Sequence, residues 1–187
     1  MTILPVFPTK ITSVIQRSLR SLLSGGLCFL CWSCGVYSLN GASISPDIKT
    51  ISVANFYNEA AGGPPNMSQS LTERLKEYYQ RNSSLKISTI EGDLQLQGSI
   101  IGYTVSPVAV SAQQPNQIDQ AQLNRLTIRV KAKFLNTKDE TQNFDQDFSF
   151  YRDFPQERSL SDVEGELVPI ILDQIVLDIF NRSVANW

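Results

Sequence analysis

Apolar and polar positions alternate most cleanly between Leu126 and Phe134. Leu126, Ile128, Val130, Ala132 and Phe134 share one parity, while Thr127, Arg129, Lys131 and Lys133 occupy the other. A period of two of this kind is the signature of a strand with one buried and one open face. A turn at Asn136 to Thr141 leads into a partner strand, with Phe144, Phe148 and Phe150 on one side and Asp145 and Asp147 on the other. Upstream, Lys49 to Phe56 reads as a strand through Ile51 and Val53. Leu85 to Ile90 reads as a short strand, and Gly92-Asp93 as a turn. From Leu94 the apolar parity is even (Leu94, Leu96, Ile100), and past Ile100 it becomes odd (Ile101, Tyr103, Val105). A parity switch inside one strand predicts a β-bulge near Ile100 to Gly102. Residues 106 to 122 hold Pro107, Pro115 and five glutamines and read as a polar loop longer than a fold alone needs.

Two segments carry helical spacing. After the loop Gly62-Gly63-Pro64-Pro65, Asn66 and Gln69 stand three apart in a capping-box-like arrangement. Met67, Leu71, Leu75 and Tyr78 or Tyr79 then recur on one face, with Glu73, Arg74, Lys76 and Glu77 outward. Near the C-terminus, Ser161 and Glu164 form a second box, and Val163, Leu167, Ile171, Ile175 and Ile179 form a stripe. Ile170, Leu172, Val176 and Phe180 widen the stripe until little polar face remains, so this helix should be deeply buried. Pro169 would clash with the carbonyl of Gly165, predicting a kink or a broken first turn. The order is β-α-β-β-β-β-α. It predicts an α+β fold: a two-layer sandwich with a mostly antiparallel sheet of four to five strands covered by two helices.

The first thirty-odd residues obey a different pattern. Lys10, Arg17 and Arg20 are present and no acid occurs before Asp47; Leu22 to Trp32 is then apolar apart from Ser24, Gly25 and Gly26. A run of about eleven residues is too short for a bilayer, which needs roughly 20. A basic region followed by such a run reads as a secretory signal peptide. Ser33-Cys34-Gly35 follows, a small residue before a cysteine at the expected cleavage point, like the lipobox of bacterial lipoproteins. Cys31 and Trp32 depart from the usual leucine and small residue there, and the alternative is a plain thiol behind an anchor. Cys28 and Cys31 each follow a leucine and fit less well. The expected division is a cleaved signal at 1–33, a lipid anchor and linker at 34–47, and the α+β domain at 48–187. Cleavage would remove three of sixteen cations and no acid, leaving thirteen against eighteen, a net charge of −5 instead of −2. Acylation at Cys34 would supply a membrane attachment without a spanning helix, stable once two or more chains are present.

Composition mainly excludes. The chain of 187 residues has no histidine, so no imidazole base and no histidine-ligated metal. The acidic balance argues against nucleic acid as a partner. Gly62-Gly63 runs into prolines and lacks the Lys-Ser/Thr of a phosphate loop. Asp145 and Asp147 lie beside cations that keep both ionised, which does not suit a general acid/base pair. Phe144, Phe148, Phe150 and Phe154 read as core. No catalytic residue, metal site or cofactor is expected, and the protein is read as not an enzyme. Arg129, Lys131 and Lys133 are the candidate site, a row of cations able to hold phosphate or another anion. A competing role is structural. With the turn near Lys138, Lys133 can stand opposite Asp145 and Lys131 opposite Asp147; a slide of two residues pairs Lys131 with Asp145 and Arg129 with Asp147. Either register makes an opposite-charge ladder, and ladder and anion contact can coexist at an uncovered end of the row.

Several segments resemble one family in number and order: Cys34-Gly35-Val36-Tyr37-Ser38 with Gly41 behind it, Ile48 to Val53, Leu71-Thr72-Glu73, Gly92-Asp93-Leu94-Gln95, Leu123 to Ile128, Asn136-Thr137-Lys138-Asp139, Ser159 to Glu164, and Phe180-Asn181-Arg182 through Asn186-Trp187. Together they resemble the LptE-type lipopolysaccharide-assembly lipoproteins of the Bacteroidetes group, over the whole chain from Cys34. The resemblance implies a lipid-anchored, periplasm-facing subunit at the outer membrane. Its partner would be the large LptD-type β-barrel of the lipopolysaccharide translocon, which such proteins plug and help to assemble. Lipopolysaccharide is a further implied ligand, and Arg129, Lys131 and Lys133 are the residues expected to meet its phosphates. The alternative is a periplasmic accessory or binding lipoprotein of another envelope transport machine.

Overall fold

The longest strands come from the two segments with the clearest alternation. The structure, a computed structural model, describes residues 44–108 and 122–184, all within the unit Asn40–Trp187. Its elements are β1 (Thr50–Val53), β2 (Tyr57–Asn58), α1 (Met67–Asn82), β3 (Lys86–Ser88), β4 (Leu94–Val108), β5 (Leu123–Asn136), a 3₁₀ turn (Glu140–Gln142), β6 (Phe144–Pro155) and α2 (Leu160–Val184). The expected α+β sandwich is present, with six strands in the order β3-β1-β4-β5-β6 and β2 added on β4 beyond the end of β1. β4, β5 and β6 form an antiparallel meander, whereas β1 is parallel to β3 and β4, and β2 is parallel to β4. The parallel β1–β3 pair follows from connectivity: α1 carries the chain back over the sheet before β3, as a crossover between parallel neighbours must.

The first strand is shorter than its sequence promises. Phe56 leaves the ladder after β1, is 3% exposed, and donates its N–H to Thr72 Oγ1 of α1 at 3.0 Å. Its ring fills the space above Gly98, where a Cβ would lie 2.6 Å from the ring and 2.1 Å from the carbonyl oxygen of Lys131. The expected strand is thus cut to Thr50–Val53, and the chain re-enters the sheet only at Tyr57, past its expected end, as β2.

The bulge is where the parity switch places it: Ile100 faces Val130 and Gly102 faces Arg129, with Ile101 left over. β4 continues through Ser106, Pro107 and Val108, and β5 begins at Leu123. The expected loop therefore loses its first three residues to β4 and ends at Gln122 as read, and 109–121 lie outside the described residues. At the other end of β5, buried Asn136 organises the turn. Its Oδ1 accepts from the N–H groups of Lys138 and Asp139 at 2.8 and 3.1 Å, and its Nδ2 donates to Gln142 Oε1 at 3.0 Å.

Both helices lie on one face of the sheet and against each other: the apolar stripe of α2 covers β5 and β6, and that of α1 covers β1, β2 and β3. Met67, Leu71, Leu75 and Tyr79 of α1 are buried, with Tyr78 only partly so; Val163, Leu167, Ile171, Ile175 and Ile179 of α2 are buried, as are Leu172, Val176 and Phe180. Each such side chain contributes roughly 1.5–3 kcal/mol on burial. Ile170 departs from the expected stripe and is 39% exposed. Neither capping box forms as read. Asn66 makes no side-chain cap, and Gln69 donates to Glu73 Oε1 instead. At α2 half of a box sits two residues earlier: the Ser159 hydroxyl and N–H both donate to Asp162 Oδ2, at 2.6 and 3.3 Å, while the Asp162 N–H goes to the Ser159 carbonyl. Glu164 accepts from the Tyr103 hydroxyl at 2.5 Å. α2 is continuous through Pro169, so the first turn is not broken. Among the described residues no helix is long and apolar enough to cross a membrane.

Candidate functional site

With both helices on one face of the sheet, its other face is open. Strand alternation delivers Arg129, Lys131 and Lys133 to that face, all three exposed, while Val130 and Ala132 between them are fully buried. Alternate residues on a strand are about 6.7 Å apart, so the three cations span about 13 Å. The hairpin takes the first of the two registers: Lys133 faces Asp145, Lys131 faces Asp147 and Arg129 faces Ser149. The ion pair that forms is diagonal, from Lys131 Nζ to Asp145 Oδ1 at 3.5 Å, between side chains about half exposed (53% and 50%). An exposed pair of this kind contributes about 0.2–1 kcal/mol and weakens with salt. Among the described residues no carboxylate lies within ion-pairing distance of Arg129 or Lys133, and no cation lies within that distance of Asp147. The charge ladder is thus partial, and two cations of the row stay available.

Local chemistry fixes Arg129 more than the lysines. The bulge sets Gly102 opposite it, and a Cβ on Gly102 would stand 3.0 Å from Arg129 Nε, so the guanidinium stem lies across the glycine. Ser99 faces Lys131 on the β4 side and donates its hydroxyl to Glu59 Oε2 at 3.1 Å. Tyr57 of β2 pairs with Ser99 and is 69% exposed. The open face therefore offers cations flanked by hydroxyls and aromatic rings.

One cation of the row escaped the sequence reading. Arg125 has the same parity as Arg129 and grips Asp153 with two hydrogen bonds, Nε to Oδ1 at 2.7 Å and Nη2 to Oδ2 at 2.9 Å. Its guanidinium carbon also lies 3.7 Å from the Tyr151 ring centroid. The Arg125 hydrogen bonds hold the Asp153 carboxyl below the usual range, and Asp153 in turn raises the Arg125 guanidinium. Extending the β5 and β6 parities to the strand ends would have found the pair. A second carboxylate, Asp93, ties β4 to β1: Oδ2 accepts from the N–H groups of Lys49 and Thr50 at 3.0 Å each and from Thr50 Oγ1 at 2.9 Å. These donors hold its carboxyl low, with Lys138 3.7 Å away adding to the effect.

Chemically, this face can bind. It presents charge and hydroxyls, and the described residues contain no group of carboxylates or cysteines arranged to hold a metal. Cys34 and the signal and anchor segments lie outside the described residues.

A family model described as LptE, Lipopolysaccharide-assembly, matches residues 48–183, which takes in every element from β1 to α2. The chain belongs to the LptE family. Among solved structures, this LptE-family chain is similar to a minor lipoprotein from Acinetobacter baumannii, with 15% identity and a TM-score of 0.46 over 73% of this chain and 92% of that one. It is also similar to an uncharacterized lipoprotein B from Nitrosomonas europaea, with 16% identity and a TM-score of 0.41 over 71% of this chain and 81% of that one. Neither likeness bears on the site. No curated protein matches the chain.

Proposed function

We propose that this LptE-family protein is the lipid-anchored subunit of the outer-membrane lipopolysaccharide translocon, seated as plug and assembly partner in its large LptD-type β-barrel. The observation that carries the reading is the family match from 48 to 183, which spans the whole sandwich. The first 33 residues act as a cleaved signal, Cys34 takes the acyl chains, and 34–47 link the anchor to the domain at the periplasmic side. A barrel lumen is polar, and a sandwich with one polar, charged sheet face suits such a wall. The work is placement and contact rather than catalysis.

Within that role Arg129, Lys131 and Lys133 meet the phosphates of lipopolysaccharide. Arg129 and Lys133 lead the contact, because Lys131 is partly engaged by Asp145. The test is lipopolysaccharide binding by detergent-extracted protein in which all three are replaced by serine. Affinity should fall about tenfold or more, with the circular dichroism spectrum unchanged and the wild-type affinity weakening as salt rises. Unchanged affinity, or collapse of the β5–β6 hairpin, removes these residues from the site.

A further inference from the structure

β6 ends the sheet. It pairs with β5 without a register break from Phe144 to Pro155, and among the described residues nothing pairs with its other edge. Twelve extended residues present unpaired backbone groups along about 40 Å. Sheet edges are commonly blunted by shortness, a bulge, lysine or an internal proline. The opposite edge strand, β3, is three residues long. β6 is long and free of lysine, and its only proline is the last residue; what screens this edge is charge, Asp145, Asp147 and Asp153 on the open face and Arg152 on the other.

The charge pattern says what kind of strand this edge accepts. On the open face β6 carries Asp145, Asp147, Ser149, Tyr151 and Asp153, three acids and no cation. β5 beside it carries Arg125, Arg129, Lys131 and Lys133. Charge thus alternates by strand, cationic then anionic. Asp153 is held by Arg125 and Asp145 is reached by Lys131, both from the β5 side. Asp147 has no ion partner among the described residues. We propose that the free edge of β6 receives an extended strand from a partner protein, with lysine or arginine at the alternate positions that face Asp145, Asp147 and Asp153. Its intervening side chains would lie beside Phe150, which is only partly buried.

A second copy of this chain fits poorly. The two antiparallel self-pairings that use the full strand, centred on Ser149 or Phe150, set Asp145 against Asp153 or Asp147 against Asp153. Like charges directly opposite are unfavourable. A strand of alternating cations meets an acid at each of the three positions.

The outer edge of β6 is a different surface from the β5 cation row offered to lipopolysaccharide. The experiment uses the full-length protein in detergent and a fluorescent nonapeptide alternating lysine and valine with lysine at both ends, long enough to reach from Asp145 to Asp153, read by anisotropy. Comparison peptides are the same composition in block order, an alternating glutamate–valine sequence, and the lysine–valine peptide N-methylated at every second residue. The lysine–valine peptide should bind at least about tenfold more tightly than each of the three, and slow hydrogen exchange along β6. D147K should weaken binding of the lysine–valine peptide and narrow its preference over glutamate–valine, since Asp145 and Asp153 remain. Equal binding by the block or N-methylated peptide, unprotected β6 amides, or concentration-dependent dimerisation through β6 would overturn the proposal. The N-methyl comparison decides on the wild-type protein even if D147K fails to fold.

Discussion

Removing the Ser183 hydroxyl should damage the protein more than removing its partner on Tyr79. The two meet at 2.5 Å between α1 and α2, in a site where Tyr79 is 0% and Ser183 4% exposed. Burial raises the Tyr79 phenol well above its ordinary range, so it is a neutral hydroxyl that must find a partner. Ser183→Ala strands that hydroxyl in the core, at about 1–3 kcal/mol. Tyr79→Phe leaves Ser183 still donating to the carbonyl of Phe180 at 2.9 Å, so the loss is nearer 0.5–1.5 kcal/mol. In the double variant nothing is left unsatisfied. The combined loss should therefore fall short of the sum of the single losses by at least about 0.5 kcal/mol. Urea unfolding of the detergent-solubilised protein, followed by circular dichroism, measures all four corners of the cycle, with the m-value expected to stay constant. Additive losses, or a milder effect of Ser183→Ala than of Tyr79→Phe, would refute the reasoning.

Two further predictions concern the sheet. Gly98→Ala should cost about 3 kcal/mol or more, because the added Cβ meets the Lys131 carbonyl at 2.1 Å and strand backbone cannot yield as a side chain does; thermal unfolding checks it, and a neutral result would contradict the close approach. Stability should also fall in acid. Asp93, Asp139, Asp153 and Asp162 all have carboxyls held below their ordinary values by hydrogen bonds. Below about pH 4 the unfolded chain binds protons that the folded chain still refuses. Their stabilisation is complete above that range and is lost as pH falls through the lowered values. Melting temperature against pH should drop less steeply for Asp93→Asn than for wild type, and an identical slope would remove Asp93 from the effect.

What the sequence made legible is what alternation encodes. The parity of β5 fixed which side chains face the helices, the switch near Ile100 located the bulge, and one of the two open hairpin registers is the one observed. Parity says nothing of which strand lies beside which, so the parallel placement of β1 between β3 and β4 was beyond it. The break before β2 depends on Phe56 finding Thr72 and Gly98, contacts far apart in sequence. The α2 cap was misplaced because Ser159 and Ser161 each have an acid three residues on, and tertiary contact decides: Glu164 is taken by Tyr103. The cations of the candidate site were readable from their period, and so was Arg125. That Lys131 reaches diagonally to Asp145, leaving Arg129 and Lys133 available, depends on side-chain geometry that alternation does not encode.

The role proposed for this LptE-family protein is that of one subunit of the outer-membrane lipopolysaccharide translocon, held inside its barrel. Gentle detergent extraction of membranes carrying the affinity-tagged protein, followed by identification and quantification of whatever elutes with it, tests that most directly. A single large outer-membrane β-barrel should elute in equimolar amount with the tagged protein. Elution alone, or with the components of a different envelope machine and no large barrel, would contradict it.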